Sequence, residues 1–291
     1  MRGPCGIARS ACTLAVLASI VPLLAHCGKG SEKVVAPAAP TPRSKISAPR
    51  VLAQASEGSP FRPKQKDFSS LDDAQKAALA KLETEFWQST NRDRQNEILD
   101  KIADEFCGEE TLGFLEKLLS SNDEDFRRRA IEMLSGTTSP AALALFTKAL
   151  TDPSETVRRE SVEAAVNIRG EGVPEYLGKV FEDSSAQVRL TGFDVLEDQP
   201  DKQKLQGFDK ALQSKNRDVR TTAIDNLQLE GTQKSLQVLF NGLDSPDAET
   251  RDHARFSIDF LVDHEFRSTA EAQSWWQTHR SKFDKDLVPS E

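Results

Sequence analysis

The side chains best suited to chemistry are few and scattered. Four histidines (His26, His253, His264, His279) and four cysteines (Cys5, Cys12, Cys27, Cys107) form the metal-ligating and nucleophilic stock of this 291-residue chain. His253 and His264 are 11 residues apart, beside Asp252, Asp263 and Glu265. On one continuous helix they would stand about three turns apart, too far to share a metal ion. They are therefore read as surface groups. Cys107 is the single cysteine after residue 66, so it lacks an intrachain disulfide partner and a zinc-ligand set. Beside Gly108 it reads as a small buried hydrophobe. The glycines are turn-spaced singles, with no phosphate-cradling loop. No nucleophile, base and orienting group can be assembled from the sequence. It therefore offers no catalytic residue, no metal site and no cofactor.

One residue type does recur at fixed spacing. Arg127, Arg158, Arg189, Arg220 and Arg251 follow one another at intervals of 31 residues. Each is preceded by Phe126, Val157, Val188, Val219 or Thr250. Leu119, Leu150, Phe181, Leu212 and Leu243 repeat with the same step, as do Asp123, Ser154, Ser185, Asn216 and Asp247. The last column holds only good helix N-cap types, whose side-chain oxygens accept from the free N–H groups of a first turn. Behind each Arg, apolar residues fall at helical spacing. Examples are Ala130, Ile131 and Leu134, then Val162, Ala165 and Val166, then Ala223, Ile224 and Leu227. A turn follows, for instance at Gly136 or Glu230-Gly231, and then a second amphipathic helix ends on the Leu/Phe column. Each unit is thus helix–turn–helix. Neither helix covers its own apolar stripe, so the units must stack. The pattern predicts an all-α, α-α superhelix of five to six helix pairs over residues 91–268. A capping helix precedes it over 67–90, and a second, from Thr269 to Phe283, follows within 269–291. In the first unit Gln95 or Asn96 replaces the Arg. Trp275-Trp276 are read as covering the open end of the stack, with an aromatic binding platform as the alternative.

The amino-terminal segments have a different character. Arg2 and Arg9 precede an uncharged apolar stretch from Ala11 to Ala25, the layout of a secretory signal over residues 1–26. The stretch is short for a membrane span and contains Pro22. It ends Leu24-Ala25-His26-Cys27, which resembles the lipobox of bacterial lipoproteins, although His26 stands where Gly, Ala or Ser is usual. The resemblance implies that Cys27 becomes a lipidated N-terminus. Residues 27–66 carry eight Lys/Arg against two Glu and six of the 14 prolines. That composition reads as a basic, disordered tether whose charge keeps it soluble, with contact to an anionic membrane surface as the alternative. Residues 67–291 carry 28 basic against 44 acidic groups, a net charge of -16. So acidic a body excludes a nucleic-acid binder.

The Asp152-Pro153…Val157-Arg158 pattern, with its kin at Asp183…Val188-Arg189 and Asn216…Val219-Arg220, resembles the HEAT-repeat family. The short bacterial form known as PBS-lyase-like repeats is the nearest type. The resemblance implies an α-solenoid. It implies that the repeated Arg forms a structural ladder with acids of the connections, Asp152 and Asp183 being candidates. Arg127-Arg128-Arg129 and Arg158-Arg159 give the alternative, a basic strip for an anionic partner. The functional expectation is an exported, membrane-anchored, monomeric scaffold without catalysis, offering a concave face to a protein or peptide. The alternative implied by the family is an enzyme akin to bilin lyases, or another ligand-handling repeat protein.

Overall fold

The structure, a computed structural model, describes residues 70–290. The signal, the tether and the lipidation site Cys27 lie outside the described residues. Helix α1 (Asp73–Gln88) precedes a run of helix pairs. These are α2 (Arg92–Glu105) with α3 (Leu112–Leu119), and α4 (Glu124–Leu134) with α5 (Leu143–Ala149). Then come α6 (Glu155–Ala164) with α7 (Val173–Val180), and α8 (Ala186–Glu197) with α9 (Asp201–Leu212). Last are α10 (Arg217–Glu230) with α11 (Gln233–Leu239), and α12 (Ala248–Val262) with α13 (Thr269–His279). Among the described residues there is no strand, only an isolated bridge between Phe283 and Pro289. The architecture is the expected α-α superhelix. The final helix ends at His279, short of the predicted Phe283, and a 3-10 turn at Arg280–Lys282 takes over.

Two layers result. In one, the Arg-bearing helices pack side by side, α4 on α6, α6 on α8, α8 on α10 and α10 on α12. In the other, α3, α5, α7, α9 and α11 do the same. Between the layers runs a single apolar core. Leu134, Ala165, Leu196, Leu227 and Ile258 occupy one 31-residue column and are all buried, as are Phe146, Leu177, Phe208 and Leu239 in another. Burial of each large member stabilises by roughly 1.5–3 kcal/mol.

A third column is kept small. Ala130, Ser161, Gly192, Ala223 and Ala254 are all buried. A methyl group placed on Gly192 would lie 2.8 Å from Val180 Cγ1, and one on Gly242 would lie 2.8 Å from Ala254 Cβ. The latter neighbour is rigid, so Gly242 has no room to grow.

Helix α1 closes the first end. Asp72 caps it through a capping box with Gln75. Phe86 is fully buried and meets Phe114 and Phe126 edge-on. Leu79 joins the core, whereas Trp87 stays 46% exposed at its margin. A carboxylate from the following pair pins the start of the helix. Glu110 accepts from the Leu71 N–H at 3.2 Å and pairs with Lys76 Nζ at 3.1 Å. Its own backbone N–H, that of Leu71 and the Lys76 ammonium hold its carboxyl at about 2, below the ordinary 4.5.

Gly242→Ala should destabilise by about 1–3 kcal/mol through overpacking. Gly113→Ala, on a helix with nothing within 4 Å, should be neutral or stabilise by up to about 1 kcal/mol. Denaturant unfolding of both variants checks the contrast. The depressed Glu110 value means that its contribution is complete above about pH 4.5 and is lost as pH falls toward 2. Hydrogen exchange should therefore show α1 losing protection across that window in the wild type. In Glu110→Gln, α1 should already be weakened at neutral pH and change less on acidification.

Candidate functional site

The five ladder arginines share one backbone arrangement. In each, Nη1 donates to the carbonyls six and five residues upstream, in the connection that leads into its own helix. For Arg127 these are Ser121 and Asn122, at 3.1 and 3.3 Å. For Arg251 they are Ser245 and Pro246, at 2.7 and 2.9 Å. Arg158, Arg189 and Arg220 do the same. The other edge of the fork reaches the next unit. Arg127 Nε and Nη2 donate to Asp152 at 2.6 and 3.0 Å, and Arg158 donates to Asp183 at 2.8 and 3.2 Å. Both carboxylates are only 5% exposed. Asp152 Oδ1 also accepts from the Ser154 N–H, and Asp183 Oδ1 from the Ser185 N–H. Each aspartate therefore clamps the previous arginine and shapes the entry to its own helix. The charge-assisted bonds to these carboxylates raise the Arg127 and Arg158 values further.

Beyond Asp183 the acceptor changes. Ser214 and Ser245 stand where Asp152 and Asp183 stood, so no carboxylate is available there. Arg189 turns to Asp218, in the first turn of the next helix, at 2.6 Å. Arg220 turns to Thr250 Oγ1 at 2.9 Å and to Asp247 at 3.2 Å. Arg251 has no carboxylate partner among the described residues. At the other end, Asn91 caps α2, which puts Gln95 rather than Asn96 in the ladder position. The first step is thus 32 residues. Gln95 Nε2 donates to the Ser89 and Phe86 carbonyls, and Arg92 supplies the missing cation, donating to Asp123 at 2.6 Å. The Arg92 guanidinium also lies 3.8 Å from the centre of the Phe126 ring.

All five predicted cap residues have the extended backbone of an N-cap, but their side chains divide. Asp123, Ser185 and Asp247 accept from first-turn N–H groups. Ser154 and Asn216 do not. The Ser154 hydroxyl donates instead to Glu124, and the Asn216 amide donates to the Phe181 carbonyl, so both bridge to the preceding unit. The basic excess seen in the sequence is also matched locally. Arg128 forks onto Glu160, Arg129 pairs with Asp100 and Glu132, and Arg159 pairs with Glu163.

The aromatic pair does not form an open platform. Trp276 is buried. Trp275 is half-buried and stacks between two imidazoles, with His279 at 4.5 Å and His264 at 5.0 Å between ring centres. His264 reaches Trp275 because α12 ends at Val262 and Asp263 takes a left-handed backbone. His253 is elsewhere, 3.0 Å from Asp225 on α10. Cys107 is half-buried, its thiol directed at the Ala103 carbonyl.

Two features had no sequence signal. An open depression of about 560 Å³ lies at the connections, lined by Leu150, Asp152, Arg158, Lys179, Glu182 and Asp183 among others. Its ladder groups already hold one another. On the outer face of the Arg-helix layer, Leu229, Phe256 and Phe260 are exposed by 60%, 67% and 62%. Apolar residues at helical spacing read as core, so only their placement in polar columns could have given them away.

The two kinds of rung should respond differently to loss of the acid. Asp152→Ala leaves a nine-tenths buried guanidinium without its anion and should cost about 3 kcal/mol or more. Asp218 is 40% exposed, so Asp218→Ala should cost about 1 kcal/mol or less. Equilibrium unfolding in urea measures both.

No curated protein matches the chain. Among solved structures, the chain is similar to one described as "Structure of the Pds5-Scc1 complex and implications for cohesin function". The identity is 17%, the TM-score 0.39, and the match covers 73% of this chain but 40% of that one. It is also similar to the designed armadillo repeat protein YIII(Dq)4CqI, at 18% identity and TM-score 0.35, covering 63% of this chain and 99% of that one. The pattern that defines HEAT repeats matches residues 79–167, 111–191 and 174–259. Together these spans exceed half of the chain, and they contain the ladder from Arg127 to Arg251: the protein belongs to the HEAT-repeat family.

Proposed function

We propose that this protein is an exported, lipid-anchored, non-catalytic scaffold that binds another protein on its stacked helices. The observation that carries the reading is the use made of its polar groups. The guanidiniums from Arg127 to Arg220 are bound on both edges by carbonyls and by acceptors of the next unit, so they serve cohesion rather than chemistry. What is left to the solvent is a long surface of parallel helices, the kind that recognises by extent rather than by an enclosed pocket. Tyr176 is buried with its phenol on the Ser161 carbonyl, and burial pushes its ionisation above the ordinary range, so it is a structural group as well.

Support for export and anchoring comes from the sequence. The basic start, the apolar run to Ala25 and the Leu24-Ala25-His26-Cys27 junction suit cleavage before a lipidated Cys27. The basic segment that follows suits a membrane surface, with the acidic repeats held away from it. No helix among the described residues is long and apolar enough to cross a membrane. A monomer is the expected state.

The full chain, produced in a bacterial host, should fractionate with membranes and incorporate labelled palmitate. Cys27→Ser should abolish the label and leave the protein unprocessed or released. Unchanged labelling and fractionation would refute the anchor. For the scaffold, affinity capture with the full chain from envelope extracts should retain a specific protein, and recovery of none would count against the reading.

A further inference from the structure

The exposed apolar side chains form an ordered array. Phe256 and Phe260 are one turn apart on α12. One repeat back, 31 residues earlier, their columns hold Asp225 and Leu229 on α10. One repeat further back they hold Asp194 on α8 and Asp198 at its C-cap. Helix α10 packs on both α8 and α12, so the three steps are neighbours in space. The face therefore passes from carboxylate to phenylalanine over three adjacent helices. It is not simply the open end of the stack. Leu229, Asp225 and Asp194 belong to helices covered on both sides, and they too face the solvent.

Asp194 and Asp225 leave capacity for a cation. Asp194 has no hydrogen-bond or ion-pair partner among the described residues. Burial, with the nearby charges of Asp198 and Glu197, pushes its value up. Asp225 meets only His253, through one oxygen, and its side chain is 60% exposed. The arginines of the earlier units are matched by Glu160, Glu163 and Asp100, so they do not reach these acids.

Resting on the scaffold reading, we infer that this face binds an extended, cationic segment of a partner protein, with a large apolar side chain seated on Phe256 and Phe260 and basic side chains on Asp225 and Asp194. The spacing supports an extended segment of polyproline-II form. Packed helices lie about 8–10 Å apart, and such a chain rises about 3.1 Å per residue with three residues per turn. Every third side chain then faces the same way and meets a new helix. The ligand pattern is two Lys or Arg three residues apart, with an aromatic or aliphatic residue three further on. The net charge of -16 over residues 67–291 would draw such a segment in.

The test uses the full chain and a fluorescein-labelled peptide, Lys-Ser-Thr-Lys-Ser-Thr-Phe-Ser-Thr, read by fluorescence anisotropy. Saturable binding that weakens with salt is expected. The double variant Phe256→Ser/Phe260→Ser should weaken it by about tenfold or more. Asp194→Asn/Asp225→Asn should weaken it and flatten its salt dependence. All four side chains lie at the surface, so circular dichroism and Tm should hold, which separates lost binding from lost fold. No saturable binding, equal binding of a peptide with Glu in place of Lys, or indifference to the phenylalanine variant would each overturn the inference. So would sedimentation showing a dimer that Phe256→Ser/Phe260→Ser dissolves, since the occupant would then be a second copy. Affinity capture separates this inference from the scaffold reading. A partner retained equally by wild type and the phenylalanine variant defeats the site alone, whereas no partner at all defeats the scaffold.

Discussion

A guanidinium that is nine-tenths buried must have its N–H groups answered, because an unpaired buried charge costs several kcal/mol. In this chain that requirement is divided between two units. One edge of each fork is filled by carbonyls of the arginine's own connection, and the other by an acceptor that only the next unit can bring. Lysine, with a compact head and no planar fork, could not satisfy two such directions at once. The arrangement fixes the path of each connection and the distance to the following helix. It thereby fixes the 31-residue step that the apolar columns share. Once Asp152 is held by Arg127, its free lone pair shapes the turn at Ser154, and Glu155 to Ala164 start in the right place.

The fold was legible because its period is carried by several independent columns. The cation column was legible for the same reason. Its acceptors were legible only in part. Asp152 and Asp183 lie in a fixed column, but Ser214 and Ser245 break it. The substitutes, Asp218 and the Thr250–Asp247 pair, come from the first turn of the following helix. Adjacency across a fold, not spacing along the chain, selects them. The first unit, where the sequence left Gln95 or Asn96 open, is settled for a related reason. A connection one residue longer moves the ladder position to Gln95, and the charge migrates to Arg92, one turn earlier. Likewise a left-handed backbone at Asp263 brings His264 onto Trp275, which no periodicity along α12 anticipates.

The ladder weakens along the chain, and this bears on where the molecule can yield. The acceptors run from a 5% exposed aspartate at Arg127 and Arg158 to a 40% exposed one at Arg189, then to a hydroxyl aided by Asp247 at Arg220. At Arg251 the described residues supply none. Cohesion there passes to a different force. Phe266, Trp275, Trp276 and Phe283 pack about one another, with His279 and His264 on the faces of Trp275. Aromatic packing is less directional than a fork on a carboxylate, and it allows an end to be closed without a further repeat.

The exposed phenylalanines sit on α12, the helix whose own arginine lacks that forward clamp. In a repeat array each unit is stabilised chiefly by its neighbours, so a unit with fewer directional ties opens and adjusts more readily than those inside. A surface meant to accept an extended segment gains from such latitude, because side chains can move without disturbing the rest of the stack. The buried clamps of Arg127 on Asp152 and Arg158 on Asp183 hold the middle of the array. Helix α12 is tied back to α10 by Arg220 on Thr250 and Asp247 and by His253 on Asp225, but it has no forward clamp of its own.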